Sequence, residues 1–418
     1  MKHIKICLLS YSDGGGGAFI GAYRLHEGLK KVGADSKMIV NRKVTDDASI
    51  LAPPKSLGKI WAKLAPRIDA IPLNFYRNRG RNFSLQWLPD GMTSQVNQLN
   101  PDVIYLHWIG YAFMQIETLR KLNKPLVWKL ADMWAFSGGC HYSQECNGYT
   151  QSCGSCPQLN SNKEFDLSRW VWKRKAKAWK NLDLTLVTPS RWLAKCASES
   201  SLFRERRIEV IPNGIDTQIY KPIERSQVRH ILNLPQEKQL ILFVARNVTS
   251  DRRKGFHLLL QALELLERSE NNAEVELVVV GASKSKNFPD LNLKRHYLGQ
   301  LNDEISLALA YSAADVFIAP STQDNFPNTV MEALACGTPC VAFNIGGMPD
   351  LIEHHKNGYL AQPFEVEDLT QGIIWILENQ ERCNKLSAYA RRKVEKEFNI
   401  ELQVKRYLSL FEEVSKNK

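Results

Sequence analysis

Ser321-Thr-Gln-Asp324-Asn-Phe-Pro327-Asn-Thr-Val-Met-Glu332-Ala-Leu-Ala-Cys-Gly337-Thr-Pro339 reads as a loop, a short helix and a second loop. Pro327 opens the helix, where its missing N–H is not needed. Gly337 stops it, with Pro339 beyond. Glu332 then falls in the second turn, near the N-terminus. That end of a helix carries unpaired N–H groups and a positive partial charge, which can hold a phosphate. The spacing Asp324-x7-Glu332 sets one carboxylate on each side of this start, so the pair can grip hydroxyls at both ends of a sugar nucleotide. A plain amphipathic helix with a solvated acid at each end has the same spacing, so the rest of the chain has to decide.

Working outward, short apolar runs alternate with helical patterns. The first half predicts strands at Ile4–Leu9, Ser36–Val40, Val103–Leu106, Leu126–Lys129 and Leu184–Val187. The second half predicts them at Glu209–Ile211, Leu240–Val244, Val275–Val280, Val316–Ala319 and Cys340–Phe343. Gly21–Val32 and Phe256–Arg268 are among the helices between them. Strands spaced by helices imply parallel sheets covered on both faces. The pattern starts twice, which predicts an α/β chain of two Rossmann-like, doubly wound domains facing a cleft, with the boundary near 190–210. Ligands of such sheets bind beyond the strand C-termini. Glu401–Val414 has the spacing of a final amphipathic helix, with Val404, Tyr407, Leu408, Phe411 and Val414 apolar.

Two loops carry chemistry in this frame. Ser12-Asp-Gly14-Gly-Gly-Gly17 follows the first strand, and four glycines before a helix let the backbone approach a ligand closely. It is neither G-x-G-x-x-G with a downstream acid nor a Walker loop, which excludes those nucleotide sites. Arg246 stands at the end of the strand Leu240–Val244, and Lys254 just before the helix at Phe256. An Arg and a Lys so placed suit a diphosphate. Arg252 and Arg253 read as solvated loop charges.

The chain has 418 residues and a net charge of +11. Residues 1–190 hold 26 Lys and Arg against 14 Asp and Glu, whereas residues 191–418 hold 29 against 30, so the excess belongs to the N-terminal half. A basic half points to an anionic substrate or an acidic membrane surface. The charge is diffuse and no reading motif is present, so no nucleic-acid partner is expected. No apolar run is long enough to span a bilayer. Ile4–Leu9 is too short for a signal peptide, so a cytoplasmic location is expected.

Several short motifs then follow one another in order. They are Val210-Ile-Pro-Asn213-Gly214-Ile-Asp216, Arg246 with Lys254-Gly255, Leu298-Gly299, Ala314-Asp315-Val-Phe-Ile-Ala-Pro320-Ser321, Asp324-x7-Glu332, Gly346-Gly347 and Asn357-Gly358. This half of the chain resembles the donor-binding domain of the retaining glycosyltransferases of family 4, which have the GT-B fold. The Gly loop, Leu106-His107-Trp108 and Asp132-Met-Trp134-Ala-Phe-Ser-Gly-Gly-Cys140-His-Tyr resemble a subgroup that builds bacterial surface polysaccharides.

The resemblance implies an acceptor-binding domain over 1–195, a donor-binding domain over 196–398 and a helix over 399–418 returning to the N-terminal domain. It implies a hexosyltransferase-type enzyme that moves a sugar from a nucleotide-diphosphate sugar to a glycan or lipid-linked acceptor, with retention. It assigns catalytic roles to Asp324, Glu332, Arg246 and Lys254. Arg246 and Lys254 hold the diphosphate, Asp324 meets the sugar and Glu332 the ribose. Asn325, Phe326, Asn328 and Thr329 offer backbone N–H groups to the phosphates, and Gly16, Gly17, Asn213 and Gly214 line the donor site. His107 and Asp132 are candidates for sugar or acceptor contact. No catalytic metal is expected, because fixed cations do its work. Two positions depart from the family pattern: Asp324 replaces the usual Glu, and Ala131 replaces the His of a His-Asp pair. The remaining readings are another sugar-nucleotide enzyme of this fold, an epimerase or phosphorylase, and a non-catalytic binder of sugar nucleotides or polyanions.

Two motifs lie outside that scheme. Cys140-x5-Cys146-x6-Cys153-x2-Cys156 suits a closed structural zinc site. A disulfide needs an oxidising compartment, and inert thiols are the third reading. Trp170-Val-Trp172-Lys-Arg-Lys-Ala-Lys-Ala-Trp179-Lys180 mixes cations with Trp, as a helix at the inner face of the cell membrane does. Core packing through Trp172 and Trp179, seven apart on one face, with a solvated basic face is the preferred account.

Overall fold

The computed structural model describes residues 4–53, 57–77, 79–80, 82–244, 251–269, 274–281 and 292–416. The chain divides into two compact units. One comprises Met1–Gly214 with Glu401–Lys418, and the other is Ile215–Ile400.

Among the described residues the first unit holds a seven-stranded sheet. Its strands are β1 (Lys5–Ser12), β2 (Asp35–Arg42), β3 (Ile50–Leu51), β4 (Val103–Leu106), β5 (Leu126–Lys129), β6 (Leu184–Thr188) and β7 (Ile208–Val210). They run in the order β3-β2-β1-β4-β5-β6-β7, and every pairing is parallel. Every residue of β4, β5 and β6 is buried. Helices cover both faces of such a sheet, which is why these strands read as unbroken apolar runs. The order reverses between β1 and β4, so a crevice opens beyond their C-terminal ends. Gly14–Gly17 follows one of those ends and His107 the other.

The second unit repeats the plan. Its strands are β8 (Gln239–Val244), β9 (Val275–Val280), β10 (Arg295–Gly299), β11 (Val316–Ala319), β12 (Cys340–Phe343) and β13 (Gly358–Ala361). They form a six-stranded parallel sheet ordered β10-β9-β8-β11-β12-β13. Strand alternation splits the core in two. Leu240 and Leu242 of β8 join one hydrophobic cluster, and Ile241 and Phe243 join the other. Here the order reverses between β8 and β11. Arg246 follows β8 in sequence, and the loop to Asp324 follows β11.

The strand at 208–210 corrects the expected division. It pairs with β6, Leu186 opposite Ile208, and so closes the first sheet instead of opening the second. The boundary therefore falls at Gly214, not at 195. The final helix, Ile400–Lys416, buries Val404, Tyr407, Leu410, Phe411 and Val414. Tyr407 and Phe411 pack edge-on against Tyr105 of β4, with ring centroids 5.3 and 5.8 Å away. No helix among the described residues is long and apolar enough to cross a membrane.

Candidate active site

The second unit presses two loops together. Asp251 opens a short turn, Arg252–Lys254, by accepting from the Arg253 N–H. Gly255 follows with φ +70°, and a Cβ there would meet the Pro320 carbonyl oxygen at 1.7 Å. Only glycine allows that approach. Thr322 N–H donates to the Arg253 carbonyl at 2.8 Å, which ties the loops. Lys254 Nζ is thereby brought to 2.6 Å from Asp324 Oδ2. Arg253 donates to the Gln323 carbonyl at 2.8 Å and stands 3.4 Å from the same carboxylate. Arg253 is thus no solvated loop charge but a second cation on Asp324. Burial pushes the Asp324 carboxyl up; Lys254 and Arg253 outweigh it and hold it below the usual aspartate range. On the other side Gly347 N–H donates to the Asp324 carbonyl at 3.0 Å. Gly346, with φ +53°, comes so close that a Cβ would lie 2.1 Å from that oxygen.

The helix after this loop is Asn328–Ala335, with Pro327 at its N-cap. Glu332 is buried and accepts from the Tyr311 hydroxyl at 3.2 Å. Asn325 N–H donates to Asp324 Oδ1 at 3.0 Å, and Phe326 is buried against Phe398. Asn328 and Thr329 are half-buried. Arg246 lies outside the described residues.

In the first unit, Gly15 takes φ +87° and Gly16 caps the helix Gly17–Lys31 in extended backbone. Asp13 holds this loop by accepting from the N–H groups of Val44 and Thr45 at 2.7 and 3.0 Å. A Cβ at Gly21 would meet the His107 ring at 3.8 Å and Lys129 Nζ at 4.0 Å. His107 shares a hydrogen bond of 3.0 Å with the Tyr105 hydroxyl through Nδ1. Burial, then the charge of Lys129, pushes this imidazole well below its usual range. Burial brings Lys129 itself down to about 7.

Asp132 is occupied within its own unit. It accepts from Trp108 Nε1 at 3.1 Å and from the Trp134 N–H at 2.8 Å, and it pairs with His141 Nδ1 at 2.6 Å. Burial raises its pKa, but His141 and these donors bring it below the usual range. His107, Ala131, Asp132 and His141 line one pocket. Asn213 and Gly214 end the first unit, beside Pro212, whose carbonyl accepts from Gln403 of the final helix at 2.9 Å.

Known proteins match both units. The model of "Glycosyltransferase Family 4" matches residues 15–219, and that of "Glycosyl transferases group 1" matches residues 224–393. The chain belongs to the family-4-type glycosyltransferases. The chain is 29% identical to spore coat protein SA of Bacillus subtilis over 54% of its own length and 64% of that protein's. It spans between 40% and 64% of the first curated relatives it matches. Its fold resembles a sucrose-phosphate synthase from Thermosynechococcus elongatus, with TM-score 0.71, 18% identity and coverage of 99% and 100% of the two chains. HepE of Anabaena, solved with UDP and glucose, matches with TM-score 0.65, 19% identity and coverage of 97% and 100%. These structures establish the GT-B fold for the chain, with two Rossmann-like domains.

Sequence reasoning missed Arg253, Tyr311, His141 and Lys129. A charged loop residue looks the same whether solvated or paired, so Arg253 left no signal. His141 lies nine residues after Asp132, in a stretch without helical or strand periodicity. The four cysteines at 140, 146, 153 and 156 are reduced and line one small cavity. In the helix Leu167–Trp179, Lys175 is buried and Arg174 pairs with Glu117 at 2.7 Å, so its basic face is only partly solvated.

Proposed function

We propose that this chain transfers a sugar from a nucleotide-diphosphate donor to an acceptor hydroxyl with retention of configuration. The observation that carries the reading is the cluster Lys254–Asp324–Arg253 beyond the C-terminal end of β11, eight residues before buried Glu332. Arg246 and Lys254 are assigned to the diphosphate, Glu332 to the ribose and Asp324 to the sugar. Breaking the sugar–phosphate bond leaves a diphosphate bearing new negative charge. Each cation on it contributes about 1.5–3 kcal/mol through a charged hydrogen bond. Asp324, held ionised by two cations, serves the sugar as a hydrogen-bond acceptor. Its lone pairs are engaged, which favours attack by the acceptor from the face of the leaving phosphate, whose oxygen takes the proton. No step in this scheme draws on a metal ion.

The acceptor is proposed to be a glycan or a lipid-linked glycan, reached at the inner face of an anionic membrane. The helix Leu57–Asp69 supports this better than the Trp-rich helix does. Its Ile60, Trp61 and Leu64 are exposed beside Lys63 and Arg67, and Phe75 beyond it is 87% exposed. Apolar and basic residues sharing an exposed face are what an interfacial helix presents.

The test is transfer or hydrolysis of UDP-, GDP-, ADP- and TDP-sugars, with UDP-sugars first because HepE was solved with UDP. A true donor raises the melting temperature by mass action. Wild type should turn it over, and Glu332→Ala and Arg246→Ala should not. Product of inverted anomeric configuration refutes retention. Stabilisation without turnover favours the non-catalytic binder, for which Ala131 and Asp324 are the supporting features. Isomerisation of the donor sugar, with sugar and nucleotide still joined, favours an epimerase. Failure to sediment with anionic liposomes at low salt removes the membrane contact.

A further inference from the structure

We propose that Cys140, Cys146, Cys153 and Cys156 hold a structural zinc ion as a closed tetrathiolate site. The four thiols converge on one small cavity from a long stretch whose regular structure is limited to short turns at Trp134–Phe136, Gly148–Thr150 and Pro157–Leu159. Cys140 and Cys156 are buried, and Cys146 and Cys153 half-buried. A stretch this long without helix or strand has few means of holding one shape. A metal cross-link supplies one.

Two independent features prepare the sulfurs for a cation. Backbone donors aim at them: Gly148 N–H at Cys146 Sγ, 3.4 Å away, Gly138 at Cys153, and Leu159 and Gln158 at Cys156. Burial raises the pKa of Cys140, Cys153 and Cys156, so these thiols keep their protons until a cation takes their place. The second feature is Lys175, wholly buried on the helix beside the cavity. Its ammonium donates to the carbonyls of Trp134 and Ser137 and stands 3.6 Å over the Trp134 ring. Burial pushes its pKa down to about 7, and Cys153, Cys140 and Asp132 act against that, in that order. A buried cation needs a counter-charge. Zinc bound by four thiolates is a dianion and supplies it. On binding, the thiol protons pass to solvent and the net charge beside Lys175 becomes negative.

Among the described residues, His26, Glu27 and Asp47 are the one set of three or more such side chains with ligand atoms within 4.8 Å of one another. Lys30 already fills that set, pairing with Asp47 at 2.7 Å and Glu27 at 2.8 Å. The four sulfurs stand wider apart, so zinc has to draw their side chains inward across the cavity.

The test is elemental analysis of the full chain purified without chelator, followed by exchange of the metal for cobalt. About one zinc per chain is expected, and the cobalt form should show the visible bands of a tetrahedral thiolate site. Cys153→Ser should abolish those bands. Lys175→Met should weaken zinc retention by roughly tenfold, the scale seen when groups behind metal ligands are removed. The wild-type cobalt spectrum does not depend on any variant folding. Zinc-free protein that gives no cobalt thiolate bands overturns the proposal, as does a disulfide among these cysteines in alkylated native protein.

Discussion

Lys254 Nζ lies 2.6 Å from Asp324 Oδ2, across two loops that are 70 residues apart in the chain. Asp324 is 6% exposed, so its charge depends on that neighbour and on Arg253. Lys254→Met leaves a buried carboxylate with one cation. It should cost about 1–3 kcal/mol at pH 7, with Asp324 setting the figure because Lys254 itself is partly exposed and screened. The double variant with Asp324→Asn should lose less than the sum of the singles. Urea unfolding reads both. The folded-state pKa of Asp324 is depressed, so its contribution is present above the ordinary value of 3.8 and is lost as pH falls below it. Lys254→Met should flatten that acid limb.

The glycines around Asp324 can be ranked. A Cβ at Gly255 would lie 1.7 Å from the Pro320 oxygen, and one at Gly346 would lie 2.1 Å from the Asp324 oxygen. Gly299 also has positive φ, +69°, but nothing stands within 4 Å. Gly299→Ala should therefore cost about 1 kcal/mol from backbone strain alone. Gly255→Ala and Gly346→Ala should cost about 2–4 kcal/mol, because backbone has to move. Thermal unfolding separates them. Gly346→Ala should also weaken donor binding, since it displaces Asp324.

Lys129 gives a test of opposite sign. Burial lowers its folded pKa to about 7, against 10.5 in the unfolded chain. Between these values the unfolded chain binds more protons, so stability should rise with pH through that window. The charged form is penalised in full below it. Lys129→Met should stabilise the protein at pH 7 by a few kcal/mol and remove most of the rise between pH 7 and 10. Unfolding curves across that range check it.

The Tyr311 hydroxyl donates to Glu332 at 3.2 Å, so under the proposed function it positions the carboxylate assigned to the ribose. Tyr311→Phe keeps the ring that packs on Phe317 and removes the donor. Nucleotide affinity should fall by about 1 kcal/mol, roughly fivefold in Kd. Calorimetric titration measures it. Unchanged affinity would separate Glu332 from the ribose.

The readable part of the fold was its interior. Val103–Leu106, Leu126–Lys129, Val275–Val280, Val316–Ala319 and Cys340–Phe343 stand in the structure with the limits read from sequence. All are buried on both faces, which leaves an apolar run with clear ends. The edge strands Ile50–Leu51, Arg295–Gly299 and Gly358–Ala361 escaped notice because they are short or half-exposed and carry no such run. Glu209–Ile211 was legible as a strand, yet its membership of the first sheet was not. Pairing with Leu186 is a long-range choice that local pattern does not encode.

The opening stretch shows the same division. Sequence alone determined a loop carboxylate, a helix punctuated by Pro327 and Gly337, and a second carboxylate one turn in, because helix termini obey local rules. It also determined the amphipathic face of the last helix. Only tertiary structure decided that Lys254 and Arg253 converge on Asp324, that Tyr311 meets Glu332 and that Tyr407 packs on Tyr105. Those contacts join segments far apart in the chain. They exist because parallel sheets bring their strand ends together and because glycines at 255 and 346 let the backbones touch.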